Sequence, residues 1–383
     1  MTRTNRLIDE LEREGTLSAS GFAELVRGRD TESAGRLFAK ASAARDRVFG
    51  KGVFIRGLLE FSNHCRNDCL YCGIRRSNRL ADRYRLSREE IIETCAVGHS
   101  LGFRTFVLQS GEDPHYGPDL IAEIVSGIKG AFPDSAVTLS LGERPVECYE
   151  LWRRAGADRY LLRHETRNPG HYAMLHPPSM RIESRVECLR TLKSLGYQVG
   201  CGFMVGTPGQ TPELIAEDLL FIKELQPHMV GIGPFIPHKD TPLAAEPPGD
   251  VDETLFLLGV LRLMDPKLLL PATTALGTLD GTGREKGVMA GANVIMPILT
   301  PMDVRAKYLL YDNKICTGDA SSACRMCVER RMESIGHRID AARGDHPDLD
   351  RGAVGDALKG GGAPPAPPTG FPAGGSPAPP CSP

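Results

Sequence analysis

The sequence predicts an α/β protein: a (β/α)8 TIM-type barrel with a helical extension before it and a disordered tail after it. Eight short apolar or β-branched runs recur across residues 51–330, and amphipathic helical patterns fill most of the intervals. Polar residues that break the pattern gather just behind the runs, where barrel strands end and loops begin. The runs are Val53 to Phe61, Thr105 to Gln109, Val137 to Leu141, Arg159 to Arg163, Val199 to Val205, Met229 to Phe235, Leu268 to Thr274 and Asn293 to Leu299. Parallel strands buried on both faces read as such nearly continuous apolar segments. A doubly wound open sheet, which also alternates strand and helix, is the runner-up.

Residues 1–50 carry helical spacing, broken at Glu14-Gly15-Thr16 and resumed after Ser18-Ala-Ser20, so two or more helices precede the barrel. Within it, Ser87-Arg-Glu-Glu90 has capping-box spacing ahead of Ile91-Ile92, and Glu213 to Ile222 is a second clear amphipathic stretch. Residues 331–383 form a C-terminal extension. From about Asp345 it drifts into Gly, Ala, Pro and Ser, which bury too little surface to offset their ordering entropy, so it is expected to be disordered, with Cys381 incidental.

Lys and Arg total 46 against 48 Asp and Glu, so no whole-chain field favours nucleic acid or an anionic membrane. The N-terminal stretch has no apolar core ahead of a small-residue cleavage site, which predicts a cytoplasmic location. Among eleven cysteines, six form two tight groups. In an intracellular chain such groups more often bind metal than form disulfides. Cys95, Cys148, Cys188 and Cys201 sit in apolar segments, where a small buried hydrophobe is the default.

The first group, Cys65-Arg-Asn-Asp-Cys69-Leu-Tyr71-Cys72, leaves the first strand directly. Three thiolates spaced C-x3-C-x2-C can hold three irons of a 4Fe-4S cluster, leaving the fourth iron open to a ligand with an amine and a carboxylate. S-adenosylmethionine (SAM) has such an end. A zinc knuckle is the alternative, but structural zinc wants four ligands and no fourth follows at short range; His64 adjoins Cys65 too closely to converge with it. The spacing, with Tyr71 beside the last cysteine, resembles the radical SAM enzymes.

Other strand ends fit that reading. Ser110-Gly111-Glu112 resembles the superfamily's Gly-Gly-Glu element, whose backbone carbonyls receive the ligand amine, although a Gly-Glu pair is also a common turn. Gly202-Phe-Met204-Val-Gly206 has small residues that let backbone approach an adenine, or pack tightly on a helix. Glu165 and Arg185 are candidates to hold the rest of SAM, or to pair with each other; Arg185 on a solvated helix face is the bland reading. By strand alternation Thr138, Ser140 and Arg163 point to the barrel interior or mouth, a setting for a small anionic or zwitterionic substrate. Thr273, Thr274 and Tyr311 complete that cavity, unless the threonines are simply β formers. Gly231-Ile-Gly233 lacks a third glycine and a following helix, which excludes a dinucleotide fingerprint.

Two further clusters stand apart. Arg75, Arg76, Arg79, Arg83 and Arg85 form either a solvated basic face or a docking patch for an acidic electron donor. Cys316, Cys324 and Cys327 are spaced to hold an auxiliary iron-sulfur cluster or zinc, or are exposed thiols.

Taken together, Glu60 to Arg76, Leu108 to Pro114, Leu139 to Glu143, Asp158 to Thr166, Met204 to Thr211, Val230 to His238 and Pro271 to Gly277 resemble the HydE-type FeFe-hydrogenase maturases, over about Val53 to Cys327. The resemblance implies a radical SAM barrel that takes up a cysteine-bound iron complex carrying carbon monoxide and cyanide, whose cysteine sulfur a 5'-deoxyadenosyl radical attacks. It implies other hydrogenase maturases as partners and a low-potential electron donor such as ferredoxin or flavodoxin. It places Cys65, Cys69 and Cys72 on the reactive cluster, with Tyr71, Ser110, Gly111, Glu112, Glu165, Arg185 and Met204 on the cofactor side. Thr138, Ser140, Arg163, Thr273, Thr274 and Tyr311 fall on the substrate cavity, and the second cysteine group on an auxiliary cluster that only some members possess. The stretch from Thr166 to Ser184 is slightly longer than the resemblance leads one to expect, which bears on Arg185. The alternatives are a biotin synthase or methylornithine synthase type of enzyme, and a non-enzymatic iron-sulfur carrier or scaffold.

Overall fold

Three helices open the chain, each started by a side chain that accepts a free backbone N–H of the first turn. Thr2 caps Arg3–Glu14, Ser18 caps Ala19–Arg27, and Asp30 with Ser33 forms a capping box on Thr31–Phe49. The computed structural model describes residues 2–318 and 320–349. Contacts group Met1–His346 into one unit. The capping box expected at Ser87 and Glu90 is present at the start of Arg88–Ser100, and the stretch around Glu213 lies in the helix Pro212–Leu225.

The strands are β1 Gly52–Ile55, β2 Gly57–Ser62, β3 Thr105–Ser110, β4 Ala136–Ser140, β5 Arg159–Leu161, β6 Gln198–Cys201, β7 Met204–Val205, β8 Met229–Val230, β9 Gly233–Pro234, β10 Val294–Ile295 and β11 Arg338–Asp340. Every ladder between them is parallel. The larger sheet runs β2-β3-β4-β5-β6-β8, in chain order and without the reversal that a doubly wound sheet requires. Parallel bridges then link Met229 to Leu269, Pro271 to Val294 and Leu58 to Ile298, while β10 pairs with β1.

Several expected strands are shorter than their apolar runs. The fifth breaks at Gly202, whose φ is 151° and whose Cβ position is filled by the backbone of Gly231, so only glycine fits there. The seventh forms bridges rather than a strand, because Pro271 has no N–H to donate and Thr273 already caps the helix Thr274–Leu279. Successive side chains of β2 face opposite ways. Leu59 and Phe61 join the main apolar core, whereas Leu58 joins Val107 and Ile298 in a separate cluster.

The C-terminal boundary differs from expectation. Strand β11 pairs with β1, and the chain then runs beside the start of β5, where the buried Arg159 guanidinium donates to Asp345 Oδ1 at 2.6 Å and Gln198 Nε2 donates to the same oxygen at 2.8 Å. A buried guanidinium needs such a carboxylate, and that need holds residues 338–346 against the strands despite their weak apolar content. The Gly- and Pro-rich tail lies, from residue 350 onward, outside the described residues.

Candidate functional site

The loop that carries the first three cysteines is built by the buried Asn63, just past β2. Its Nδ2 donates to Asp82 O (2.8 Å) and Lys307 O (2.7 Å), and its Oδ1 accepts the Tyr84 N–H (2.8 Å). Backbone bonds then tie the loop to its surroundings: Arg66 N to Glu112 O (2.9 Å), Leu70 N to Leu175 O (2.9 Å) and Gly73 N to Leu310 O (2.9 Å). Gly111 is required by close approach, since a Cβ there would overlap His64 O and reach 2.7 Å from Cys65 Cβ.

Cys65, Cys69 and Cys72 are half-buried and near enough to influence one another's ionisation. Burial pushes Cys69 up to about 12 and raises Cys65 and Cys72 as well. Thiols in such surroundings ionise when a cation takes the proton's place. Structural zinc would ask for four ligands on a single ion. A cubane asks instead for one thiolate per iron, and three neighbouring thiols on a tightly bonded loop fit that demand.

Around the loop the structure brings together most of the expected cofactor-side residues. Ser110 ends β3 and gives its hydroxyl to Gly111 O at 2.6 Å. The buried Glu112 carboxylate accepts from Arg66 Nε and from Glu143 N, both at 2.9 Å, so it clasps the cysteine loop to the turn after β4. Tyr71 and Met204 share an apolar cluster with Leu175 and Phe235. Glu165 adopts φ 66°, a left-handed conformation uncommon outside glycine, which its N–H bond to Gly202 O at 3.0 Å helps hold.

Glu165 and Arg185 do not pair with each other. Arg185 is buried and donates from Nε to Glu143 Oε1 at 2.9 Å and from Nη1 to Arg163 O at 3.1 Å. Glu165 instead has Arg163 Nη2 at 3.2 Å from its Oε2, within ion-pair range, yet neither atom makes a hydrogen bond among the described residues. Both groups thus keep polar capacity at the strand ends. Arg185 is no solvated helix residue: its guanidinium lies 5.8 Å over the Tyr172 ring.

Sequence reasoning gave no role to Glu143, Tyr172, His176 or Met180. Glu143 stood in a quoted strand-end motif and is recognisable in hindsight by its position. The other three belong to the stretch between Glu165 and Arg185, which folds back over the cysteine loop: Met180 Sδ lies 4.0 Å from Cys69 Sγ. His176 Nδ1 donates to Tyr172 O (3.0 Å), leaving Nε2 to accept the Tyr71 hydroxyl at 3.3 Å. Burial lowers His176 to about 3, so this ring is neutral.

The expected substrate residues divide into two levels. Ser140, Arg163, Thr273, Thr274 and Tyr311 lie at or beyond the strand ends. Thr274 Oγ1 accepts from Arg284 at 3.4 Å, and Tyr311, pushed up to about 12 chiefly by burial, is close enough to feel Arg163, Arg284 and Glu60. Thr138 is elsewhere. It sits in register with Arg159, and its unbonded hydroxyl lines a small cavity with Arg56, Gln198 and His228 at the opposite ends of the strands. Alternation along β4 points Thr138 and Ser140 the same way, but two residues of strand rise separate their depths.

The second cysteine group lies near Arg331, whose guanidinium is close enough to feel both Cys316 and Cys327. Cys324 and Cys327 share one face of the helix Ser321–Ser334, while Cys316 packs on Leu58, Val107 and Ile298 and accepts from Arg284 at 3.7 Å.

Residues 59–222 match the family model described as the Radical SAM superfamily. The [FeFe] hydrogenase maturase subunit HydE of Thermotoga maritima is 51% identical over 79% of this chain and 86% of its own length. The chain belongs to the HydE-type branch of the radical SAM superfamily. It is accordingly an enzyme of the kind that works with a 4Fe-4S cluster and SAM. A 3-methylornithine synthase of Methanosarcina acetivorans is 31% identical over 84% of this chain and 89% of its own. The crystal structure of a methylornithine synthase superposes with a TM-score of 0.77 at 30% identity, covering 87% of this chain and 97% of that one. No helix among the described residues of this HydE-type chain is long and apolar enough to cross a membrane.

Proposed function

We propose that this protein acts in assembly of the diiron site of FeFe hydrogenase, converting a cysteine-bound iron complex that carries carbon monoxide and cyanide. The single observation that carries the proposal is the 51% identity to a HydE maturase across 86% of that protein, set against 31% to a methylornithine synthase. We read the succession of parallel pairings as a closed eight-unit barrel whose strand C-terminal ends form the site.

In this reading Cys65, Cys69 and Cys72 hold the reactive cluster, Tyr71 and Met204 wall it, and Ser110, Gly111 and Glu112 form the turn beside the SAM amine. When bound, the cluster and SAM would supply adenosyl-radical chemistry directed at the substrate's cysteine sulfur. The protein's own part is orientation and exclusion of water. Glu165 and Arg185 present opposite charges to a zwitterion, with Arg185 aimed by Glu143. Arg163, whose Nε and Nη2 make no hydrogen bond among the described residues although Nη2 lies 3.2 Å from Glu165 Oε2, is placed to take the carboxylate of the substrate cysteine, with Ser140, Thr273, Thr274 and Tyr311 lining the space around it. Thr138 contributes only to a substrate that reaches down to Arg159. The second cysteine group holds an accessory cluster without a part in SAM cleavage. The partner maturases and a low-potential ferredoxin or flavodoxin complete the system.

The test is product analysis with reconstituted protein, SAM and a synthetic organoiron-cysteine substrate under strict anaerobiosis. Consumption of that complex with formation of 5'-deoxyadenosine is expected. Turnover of lysine or dethiobiotin in its place would transfer the chain to the methylornithine or biotin type.

A further inference from the structure

Two successive residues hold both backbone polar groups of Gly202. The Glu165 N–H donates to Gly202 O at 3.0 Å, and the Gly202 N–H donates to His164 Nδ1 at 3.3 Å. The break in the fifth expected strand falls at this glycine, so the clasp sits where the backbone departs from regular pairing. The two side chains that follow from it serve different faces. Glu165 meets Arg163 Nη2 at the strand ends, whereas the His164 ring packs edge-on against Phe221 of the helix Pro212–Leu225, with ring centres 5.0 Å apart.

His164 and Asp218, which stands on the same helix, are both fully buried, and His164 Nε2 lies 3.2 Å from Asp218 Oδ1. With Nδ1 occupied as an acceptor, a neutral ring carries its proton on Nε2, the side that faces this carboxylate. Asp218 Oδ1 also accepts the Arg167 N–H at 2.6 Å, and Oδ2 makes no hydrogen bond among the described residues. These two contacts are therefore what offsets the burial of the carboxylate. They tie the chain to the helix on both sides of Glu165.

A glutamate at φ 66° needs such support, because a left-handed backbone costs free energy at a residue with a Cβ and persists only where its surroundings over-determine it. Resting on the reading of Glu165 as a SAM contact, we propose that His164 and Asp218 are positioning residues for Glu165. Asp218 orients the ring, the ring holds Gly202, and Gly202 holds the left-handed turn that aims the Glu165 carboxylate. The ring bond to Gly202 is the link on which the aim depends.

The test splits the ring in two. His164→Asn places its amide oxygen near the Nδ1 position and keeps an acceptor for Gly202, whereas His164→Gln reaches the Nε2 position and keeps only a donor towards Asp218. Binding of labelled SAM to the cluster-loaded enzyme is measured by equilibrium dialysis, with thermal melts alongside. Both variants should melt lower than wild type. His164→Gln should weaken SAM binding about tenfold and His164→Asn no more than about threefold. In a Glu165→Ala background, His164→Gln should cost less than about twofold further, since its effect runs through that carboxylate. Equal losses in the two variants, or the same loss from His164→Gln with and without Glu165, would make His164 an ordinary core residue and overturn the proposal. Should neither variant fold, Asp218→Ala and Asp218→Asn decide: weakened SAM binding in the first and near wild-type binding in the second supports it, and wild-type binding in both overturns it. Wild-type SAM affinity in Glu165→Ala alone would overturn the reading of Glu165 as well, whereas a weakened Glu165→Ala without coupling to His164 overturns only the positioning role.

Discussion

Arg185 Nε sits 2.9 Å from Glu143 Oε1, and the other oxygen of Glu143 accepts the Ser184 hydroxyl at 2.7 Å. The guanidinium is thereby held at Nε by Glu143 and at Nη1 by Arg163 O, which leaves Nη2 to meet a carboxylate. Glu143→Ala is expected to leave iron content intact and to weaken SAM binding about 10- to 100-fold, roughly 1.4–2.8 kcal/mol. Equilibrium dialysis with labelled SAM checks this, and wild-type affinity in the variant would remove Glu143 from the positioning of Arg185.

Gly111→Ala should lower iron incorporation sharply, because its Cβ would overlap His64 O beside Cys65. Gly35→Ala is the matching control. It lies in the helix Thr31–Phe49 with nothing within 4 Å of its Cβ position, so it should stabilise the protein by about 0.8–1 kcal/mol. Iron analysis and thermal melts report the two effects separately.

Burial alone would raise the Asp345 carboxyl, but Arg159, with Arg343 and Gln198, outweighs it and holds the group well below the usual carboxylate range. A depressed folded value means stability that is fully present above the unfolded carboxylate value near pH 4 and lost as pH falls through the folded one. Asp345→Asn should therefore be less stable at pH 7, by about 3 kcal/mol for a buried guanidinium left unpaired, with the gap to wild type closing below about pH 4. Urea melts across pH 2–7 measure it; a gap independent of pH would show that Arg159 does not depend on this charge.

Cys69→Ser and Cys324→Ser should part company. The first should abolish SAM cleavage. The second should change metal content while sparing 5'-deoxyadenosine formation, since Cys324 lies on the helix Ser321–Ser334, well after β10 and remote in sequence from the first cysteine loop. Loss of cleavage in Cys324→Ser with the first cluster assembled would show that the two cysteine groups are coupled.

Arg163→Met should keep SAM binding and impair turnover of the organoiron substrate by roughly one and a half to three decades, the worth of a charge-assisted bond of about 2–4 kcal/mol in a dry cavity. Steady-state rates with that substrate decide it, a wild-type rate being the contrary outcome.

Much of this was legible in the residues because it is local. Strand runs, caps such as Ser87 and the C-x3-C-x2-C spacing depend on neighbours within a few positions, and the chemistry of three adjacent thiols follows from their identity. The alternation of strand and helix, the cysteine loop and the strand-end positions of Glu165 and Arg163 are all set by such local patterns. Which polar groups meet is a long-range matter. Long-range packing gives Arg185 to Glu143, sets Thr138 a level below Ser140, turns His176 back to Tyr71, and carries Asp345 across to Arg159, so that residues 338–346 lie against the strands. The pairings of Arg185 with Glu143, His176 with Tyr71 and Asp345 with Arg159 join segments whose separation along the chain carries no pattern. Each exists because a buried charge or donor must find a partner wherever packing brings one.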